Sequence, residues 1–345
     1  MTRRALVTLA AAVASIASVP IATAAAPNPT KVVTGWIDAL AMDGPNVAYS
    51  AENASDCRNV VVWNVLTGKA TRVSGPASGR CGDDEPDGQL VGALAIAGDE
   101  AAWIRTIAGN TESDETLFAG SIATPREHQL ATARRTGDPP TLGTWLGGLA
   151  GSGTVLAASA WRTDSAGATT ASSLRTIAGS RLTTIATDTG AVAALSTDLG
   201  RIAVLRADGT VALLTATGTL IHVVTPSSAK EIALRKDYLL VLTKTRTLEI
   251  YNSRTGAFIR QWPVAAGAAH LDLYAGIAVY ATWRTLHAIQ LTTGRDVAIA
   301  SLKRAVVADG IEAPGVVYAY DTVRGIRDFG NLVFVPMRAV ALAVS

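Results

Sequence analysis

Charge of either sign is scarce in this chain: only 17% of its 345 residues are Asp, Glu, Lys or Arg, and aromatics supply 5%. With 49% hydrophobic residues there is ample material for a core, and small β-branched and Ala side chains must do most of its packing. Net charge is equally lacking. The formal +2 comes from Arg3 and Arg4, both inside a segment that reads as removable, so the remaining chain is neutral. That balance gives no support to a nucleic-acid or membrane-surface partner.

Other absences narrow the chemistry. No Gly-x-Ser-x-Gly elbow is present, and no phosphate-cradling Gly-rich motif. The four histidines, His128, His222, His270 and His287, are scattered, with no i,i+2 or i,i+4 pair among them and none near a cysteine. A zinc site could therefore arise only by tertiary convergence. Cysteine is limited to Cys57 and Cys81.

What is present begins with an export signal. Arg3 and Arg4 form a basic start, Ala5 to Ile21 is an apolar run, and the small residues Ala22-Thr23-Ala24-Ala25-Ala26 follow as a cleavage site. Residues 1–26 are read as a cleaved signal peptide and 27–345 as one domain. The run is Ala-rich and short for a stable membrane span. The start Thr2-Arg3-Arg4-Ala5-Leu6 is similar to a twin-arginine signal, and paired Arg also occurs in ordinary signal peptides, so both routes stay open. Either route leads to a secreted, periplasmic or cell-envelope location. In that compartment Cys57 and Cys81 are expected to form a disulfide, the alternative being two free thiols in loops.

The body of the chain repeats. Gly218, Gly256 and Gly294 follow β-rich runs at intervals of 38 residues, and Gly68 and Gly179 take the same place in longer, earlier units. Each sits where a hairpin turn needs a positive φ. The cleanest unit has four strands: Glu231–Leu234, Tyr238–Leu242, Thr247–Tyr251 and Ala257–Trp262. Its first strand can be followed through Leu40, Leu94, Leu149, Leu195, Leu234, Leu273 and Val307. The polar segments Ser50 to Asn59 and Gly109 to Glu115 read as inserted loops. Outside the signal segment no sustained 3.6-residue period is found. About seven four-stranded units make an all-β, single-domain β-propeller. The last unit is incomplete, so Lys31 to Trp36 is expected to supply its outer strand and close the ring.

The first unit, from Ala39 to Ser74, with its turn at Met42-Asp43-Gly44-Pro45 and a strand leading into Thr67-Gly68, resembles the repeat of TolB-type periplasmic propellers. Later units such as LEIYNSRTGAFIRQW resemble WD-repeat or quinoprotein-type repeats. The order at Met42 to Pro45 departs from the usual Pro-Asp-Gly, and the Gly-His and Trp-Asp dipeptides of WD repeats are absent. A quinone cofactor would imply an adjacent Cys pair and a docking Trp in most repeats, which this chain lacks. The resemblance implies a fold and leaves function open.

Two patterns carry candidate chemistry. Near the end of the second strand of successive units stand Arg105, Arg162, Arg206, Arg246, Arg284 and Arg324, with Arg58 in the first unit's version. Trp103, Trp161 and Trp283 accompany three of them. Loops after second strands emerge on one face of a propeller, so these residues are read as a ring for carboxylate, phosphate or sulfate. The competing reading is that loop arginines only solubilise. The second pattern is Asp83-Asp84-Glu85-Pro86-Asp87-Gly88, in which Asp83, Glu85 and Asp87 alternate like the start of a calcium loop. Pro86, and Leu94 in place of the closing Glu, depart from that pattern, and a solvated acidic turn is the alternative. Calcium is the one cofactor the sequence suggests.

Two function classes follow. One is a monomeric binding or scaffolding module that takes a protein or an anionic ligand on its loop face. The other is a propeller hydrolase or lyase acting on an anionic polysaccharide or ester, with Asp164, Asp208 or Asp321 as its acid.

Overall fold

The computed structural model describes residues 30–52, 58–75, 90–324 and 327–345. Within them the chain is almost wholly antiparallel β-sheet. The strand β1 (Lys31–Thr34) comes first, followed by the sheet β2 (Leu40–Asp43), β3 (Asn46–Glu52), β4 (Arg58–Asn64) and β5 (Ala70–Arg72). Next are β6 (Leu90–Ala97), β7 (Glu100–Ala108), β8 (Glu112–Ser121) and β9 (His128–Thr136). They continue into β10 (Leu142–Ser152), β11 (Val155–Thr163), β12 (Thr169–Ala178) and β13 (Arg181–Thr187). Further on lie β14 (Val192–Asp198), β15 (Arg201–Arg206), β16 (Val211–Thr215) and β17 (Leu220–Val224). Then follow β18 (Ala229–Arg235), β19 (Tyr238–Thr243), β20 (Thr247–Asn252) and β21 (Phe258–Pro263). The strands β22 (Ala269–Tyr274), β23 (Ile277–Thr282), β24 (Thr285–Gln290) and β25 (Asp296–Ser301) precede β26 (Val306–Glu312), β27 (Gly315–Arg324) and β28 (Arg327–Pro336). A helix, α1 (Met337–Val344), ends the chain.

These strands form a single propeller. Its inner strands β2, β6, β10, β14, β18, β22 and β26 each pack on the next, and β26 returns to β2. The first-strand residues read from the sequence, from Leu40 to Val307, all lie on these inner strands. The expected count of about seven separate blades is corrected. Five four-stranded blades stand as separate sheets among the described residues, and β6 to β13 form one continuous eight-stranded sheet. The junction is short, with Leu142 opposite Thr136 and Gly143 opposite Arg135. Gly143 makes it possible, because a Cβ there would stand 2.2 Å from the Arg134 carbonyl oxygen.

The ring closes where the sequence placed its closure. β1 pairs antiparallel with β28, Lys31 opposite Leu332 and Thr34 opposite Phe329, completing the sheet that contains β26 and β27.

The hairpin glycines have a second duty beyond their turns. Gly218, Gly256 and Gly294 have φ of +89°, +72° and +74°. Each also abuts the outer strand of the preceding sheet: Gly218 meets Ile185, Gly256 meets His222, and Gly294 meets Trp262. Trp262 seals its contact by donating its indole N–H to the Leu291 carbonyl at 3.0 Å. The 38-residue interval is thus the spacing of a repeated inter-sheet contact.

Packing between sheets follows the composition. The cluster joining β6–β9 to β10–β13 is built largely from alanines, among them Ala95, Ala102, Ala119, Ala158 and Ala160, around Leu117 and Leu156. Gly151 brings two inner strands together, since a Cβ there would lie 2.3 Å from the Ile96 carbonyl oxygen.

Two local expectations differ. Glu112 to Glu115, read as part of a polar loop, extend β8 instead, because Ser113 and Glu115 are buried and gripped by Arg135. The terminal segment, for which no helical period was expected, turns helical after Pro336. Val340 and Val344, four residues apart, bury one face of α1 against β24, β25, β27 and β28.

Candidate functional site

Alternation of strand direction puts the loops that follow second and fourth strands on one face of the ring. The arginines picked from the sequence do not form one ring there. Arg105 is buried and bound by Glu127 through two hydrogen bonds of 3.1 and 2.9 Å, with its guanidinium 4.7 Å from the Phe118 ring centroid. Trp103 is wholly buried and stacks on Phe118. These two residues belong to the core and offer nothing to solvent. Arg58 is also buried; it pairs with Asp38 at 3.1 Å and donates to the Trp36 carbonyl. Arg206 is half-buried, and Arg246 is exposed on a turn with φ of +65°. The backbone of Arg324 ends β27, and its side chain lies outside the described residues.

Arg162 keeps a place on the loop face and is joined there by a residue the sequence reading missed, whereas Trp161, its neighbour in β11, points its ring to the other side of the sheet. At the loop end of β10, β11 and β12 an open cavity of about 250 Å³ is lined by Thr144, Trp161, Arg162, Ser172, Ser173 and Arg175, with Ala160 and Ala171 between them. The register explains the grouping: Thr144 and Ala171 flank Arg162, while Trp161 stands between Trp145 and Ser172. Trp161 is held flat against Trp145, ring centroids 5.7 Å apart, and Arg135 covers the other side of Trp145 at 3.8 Å. Arg135 is fixed in turn by Glu115 at 2.6 Å. Arg162 is exposed, and Arg175 donates through Nε to Ser173 at 3.0 Å. No carboxylate stands among the lining residues. Arg175 could have been found from sequence only by knowing that β12 pairs beside β11.

Elsewhere on this face Trp283 is 68% exposed, with the Arg284 guanidinium 4.0 Å from its ring. Trp36, Leu90, Leu142 and Val323 are also exposed on the same side of the ring. Of the acids read as candidate catalysts, Asp164 is taken up in its own turn, accepting the N–H groups of Ala166 and Ala168. Asp208 accepts from the Thr210 amide and hydroxyl. Asp321 accepts the Ile37 N–H at 3.2 Å, and burial pushes its carboxyl up to about 6.

The second concavity is the axis itself. A cavity of about 260 Å³ is lined by residues of all the inner strands. At one end Arg235 bridges Glu312 at 2.5 Å and Asp198 at 3.4 Å, and donates to Ser152. Burial pushes Glu312 up to about 8, although Arg235 pulls the other way. Along the wall, acceptors pass from one inner strand to the next. Ser196 accepts the Leu234 N–H at 2.9 Å, Glu231 that of Leu271 at 2.9 Å, and Asp272 that of Ile311 at 2.9 Å. Asp309, on the strand after Asp272, breaks the series. Both its carboxylate oxygens are buried and neither has a hydrogen-bond partner among the described residues.

Among the described residues no three His, Cys, Asp or Glu side chains converge closely enough to hold a metal ion. Cys57, Cys81, Asp83, Glu85 and Asp87, and with them the disulfide and the calcium loop, lie outside the described residues, as does the signal segment. No helix among the described residues is long and apolar enough to cross a membrane.

No protein-family model and no curated protein matches the chain. Among solved structures, the WD40 β-propeller domain of Doa1 superposes with a TM-score of 0.56 at 11% identity, covering 88% of this chain and 96% of that one. The computationally designed Ika8 protein superposes with a TM-score of 0.52 at 14% identity, covering 90% and 99%. At such identities the likeness concerns architecture, and with the strand topology it makes this chain a single all-β propeller with four-stranded blades.

Proposed function

We propose that this protein is an exported binding module whose loop face takes a ligand bearing an anionic group, with the cavity around Arg162 and Arg175 as the anion's seat. One observation carries the reading: Arg162 and Arg175, with Thr144 and Ser173, share one face of the sheet and line one cavity, and no carboxylate lines it with them. Arginine offers paired planar donors to carboxylate, phosphate or sulfate. Arg175 is oriented by its bond to Ser173 before any ligand arrives, which lowers the ordering cost of binding. Exposed Trp283 with Arg284 extends the face in the residue types that favour macromolecular contacts.

A binding role is favoured over a hydrolase or lyase because Asp164 and Asp208 are engaged in their own turns. Asp321 is held in the Arg58–Asp38 surroundings, apart from the residues that line the arginine cavity. Export rests on the basic start, apolar run and small-residue cleavage site of residues 1–26. Titration calorimetry of the mature chain with sulfate, phosphate, citrate and polygalacturonate tests the reading. Saturable binding to one of them, lost in the Arg162→Ala/Arg175→Ala double variant at unchanged Tm, is expected. Equal binding by that variant, or none by the parent, would overturn it.

A further inference from the structure

The axial cavity holds ligand chemistry of the opposite sign, independent of the loop face. We propose that it is a site for a primary ammonium group, held by the carboxylate of Asp309. Glu231 and Asp272 each accept an N–H from the following inner strand, whereas Asp309 is buried with neither oxygen hydrogen-bonded among the described residues. A buried acceptor without a donor is rare in folded proteins and marks a place where a donor is missing. An ammonium brings three N–H donors and a positive charge, and a carboxylate accepts both.

The surroundings favour a cation and select its kind. Asp272, Asp309 and Glu312 line the cavity against Arg235 and His270, and Arg235 is already engaged by Glu312 and Asp198. The titratable groups around Asp309 are Asp272 and His270 on β22, and Glu231, Lys230 and Arg235 on β18. On the β2 side Gly310 packs against Leu40 and Met42, which carry no charge. The absence of a chelating trio among the described residues disfavours a bare metal ion. Polar surface predominates in the lining, which suits the charged nitrogen on a short carbon chain. A volume of about 260 Å³ accommodates a short alkylamine or the end of a lysine side chain.

The proton balance is specific. Burial and the nearby Asp272 and Glu231 carboxylates hold Asp309 well above the ordinary carboxylate range, which favours its neutral acid form in the empty cavity. Seating an ammonium leaves the alkylammonium unchanged, and Asp309 gives its proton to the buffer.

The experiment is titration calorimetry of the mature chain at pH 7.5 with 1,4-diaminobutane and, separately, with N-acetyl-lysine methylamide, each in buffers of different ionisation enthalpy. Expected are saturable binding, release of about one proton per amine, affinity falling as pH is lowered from 7.5 to 6, and loss of at least tenfold in Asp309→Asn. Preference for diaminobutane assigns the site to free amines, and preference for the lysine amide assigns it to a partner's lysine. No binding of either amine, binding without proton release, or displacement of the amine by equimolar calcium or magnesium would each overturn the proposal. If Asp309→Asn does not fold, proton release by the parent chain decides alone.

Discussion

Gly218 lies so close to Ile185 that a Cβ on it would stand 1.9 Å from the Ile185 carbonyl oxygen. The turn of one sheet is therefore in van der Waals contact with the outer strand of the sheet before it. Gly218→Ala is expected to destabilise by more than about 3 kcal/mol, combining left-handed strain with a backbone clash. Gly200→Ala, at φ of +75° with open space around it, should cost only about 1–2 kcal/mol. Urea unfolding of both variants measures the difference, and equal losses would mean that the inter-sheet contact yields easily.

Stability should fall as pH rises. The carboxyls of Asp309, Asp272, Glu312 and Asp321 are all raised by burial, Asp321 to about 6 and Glu312 to about 8. The folded chain holds these protons more tightly than the unfolded one. Their contribution is complete below the ordinary carboxylate range and is lost as pH climbs through the folded-state values. Unfolding free energy is therefore expected to decline between pH 5 and pH 8, and Asp309→Asn should flatten that decline while raising Tm at pH 8. A rising profile, or an unchanged slope in the variant, contradicts this account.

The arginines near second-strand ends should divide by burial. Arg105→Ala leaves the half-buried Glu127 with only the Gly75 N–H as a donor among the described residues and is expected to cost about 2–3 kcal/mol. Arg162→Ala removes an exposed side chain and should stay within about 0.5 kcal/mol. Chemical denaturation separates the two, and anion affinity should respond in the opposite order, with Arg162 mattering and Arg105 not.

The C-terminal helix is expected to act as a cover for the last two sheets. Val340 is fully buried and Leu342 is 66% exposed. Val340→Asp should lower stability by more than about 3 kcal/mol, and Leu342→Asp should leave it nearly unchanged, within about 0.5 kcal/mol. Thermal melts of the two variants check the assignment of the helix face.

Much of the fold was legible because its repeated contact needs glycine. Gly218, Gly256 and Gly294 recur at equal spacing since each must both turn and admit the neighbouring strand, and no other residue does both. The fusion of β9 to β10 was not legible. Gly143 has no counterpart in the repeat, and its close approach to Arg134 exists only once the strands are paired. α1 was missed because eight residues give barely two helical turns, and Val340 and Val344 read equally well as strand. In the loop face, Arg162 was found in the sequence, whereas Arg175 joins it only through register. The axial acids had a signal that went unread: Glu231, Asp272 and Asp309 place a carboxylate on the inner strand of three consecutive units. A carboxylate recurring on the same strand of successive units is hard to explain as solvation, because those strands face the axis.

Lys31 finds its partner in Leu332, nearly the whole length of the domain away. A ring fastened by its two ends behaves as a latch that cannot be set early. Every other sheet can assemble from neighbouring segments as they appear, but the final one waits for β28, and its loop-closure entropy is the largest in the molecule. Until that moment the first strand has no sheet to join, and a chain ending short of Leu332 lacks the ladder that ties β1 to β28. The last ladder to form is thus the one that joins the two strands of the ring most distant in sequence.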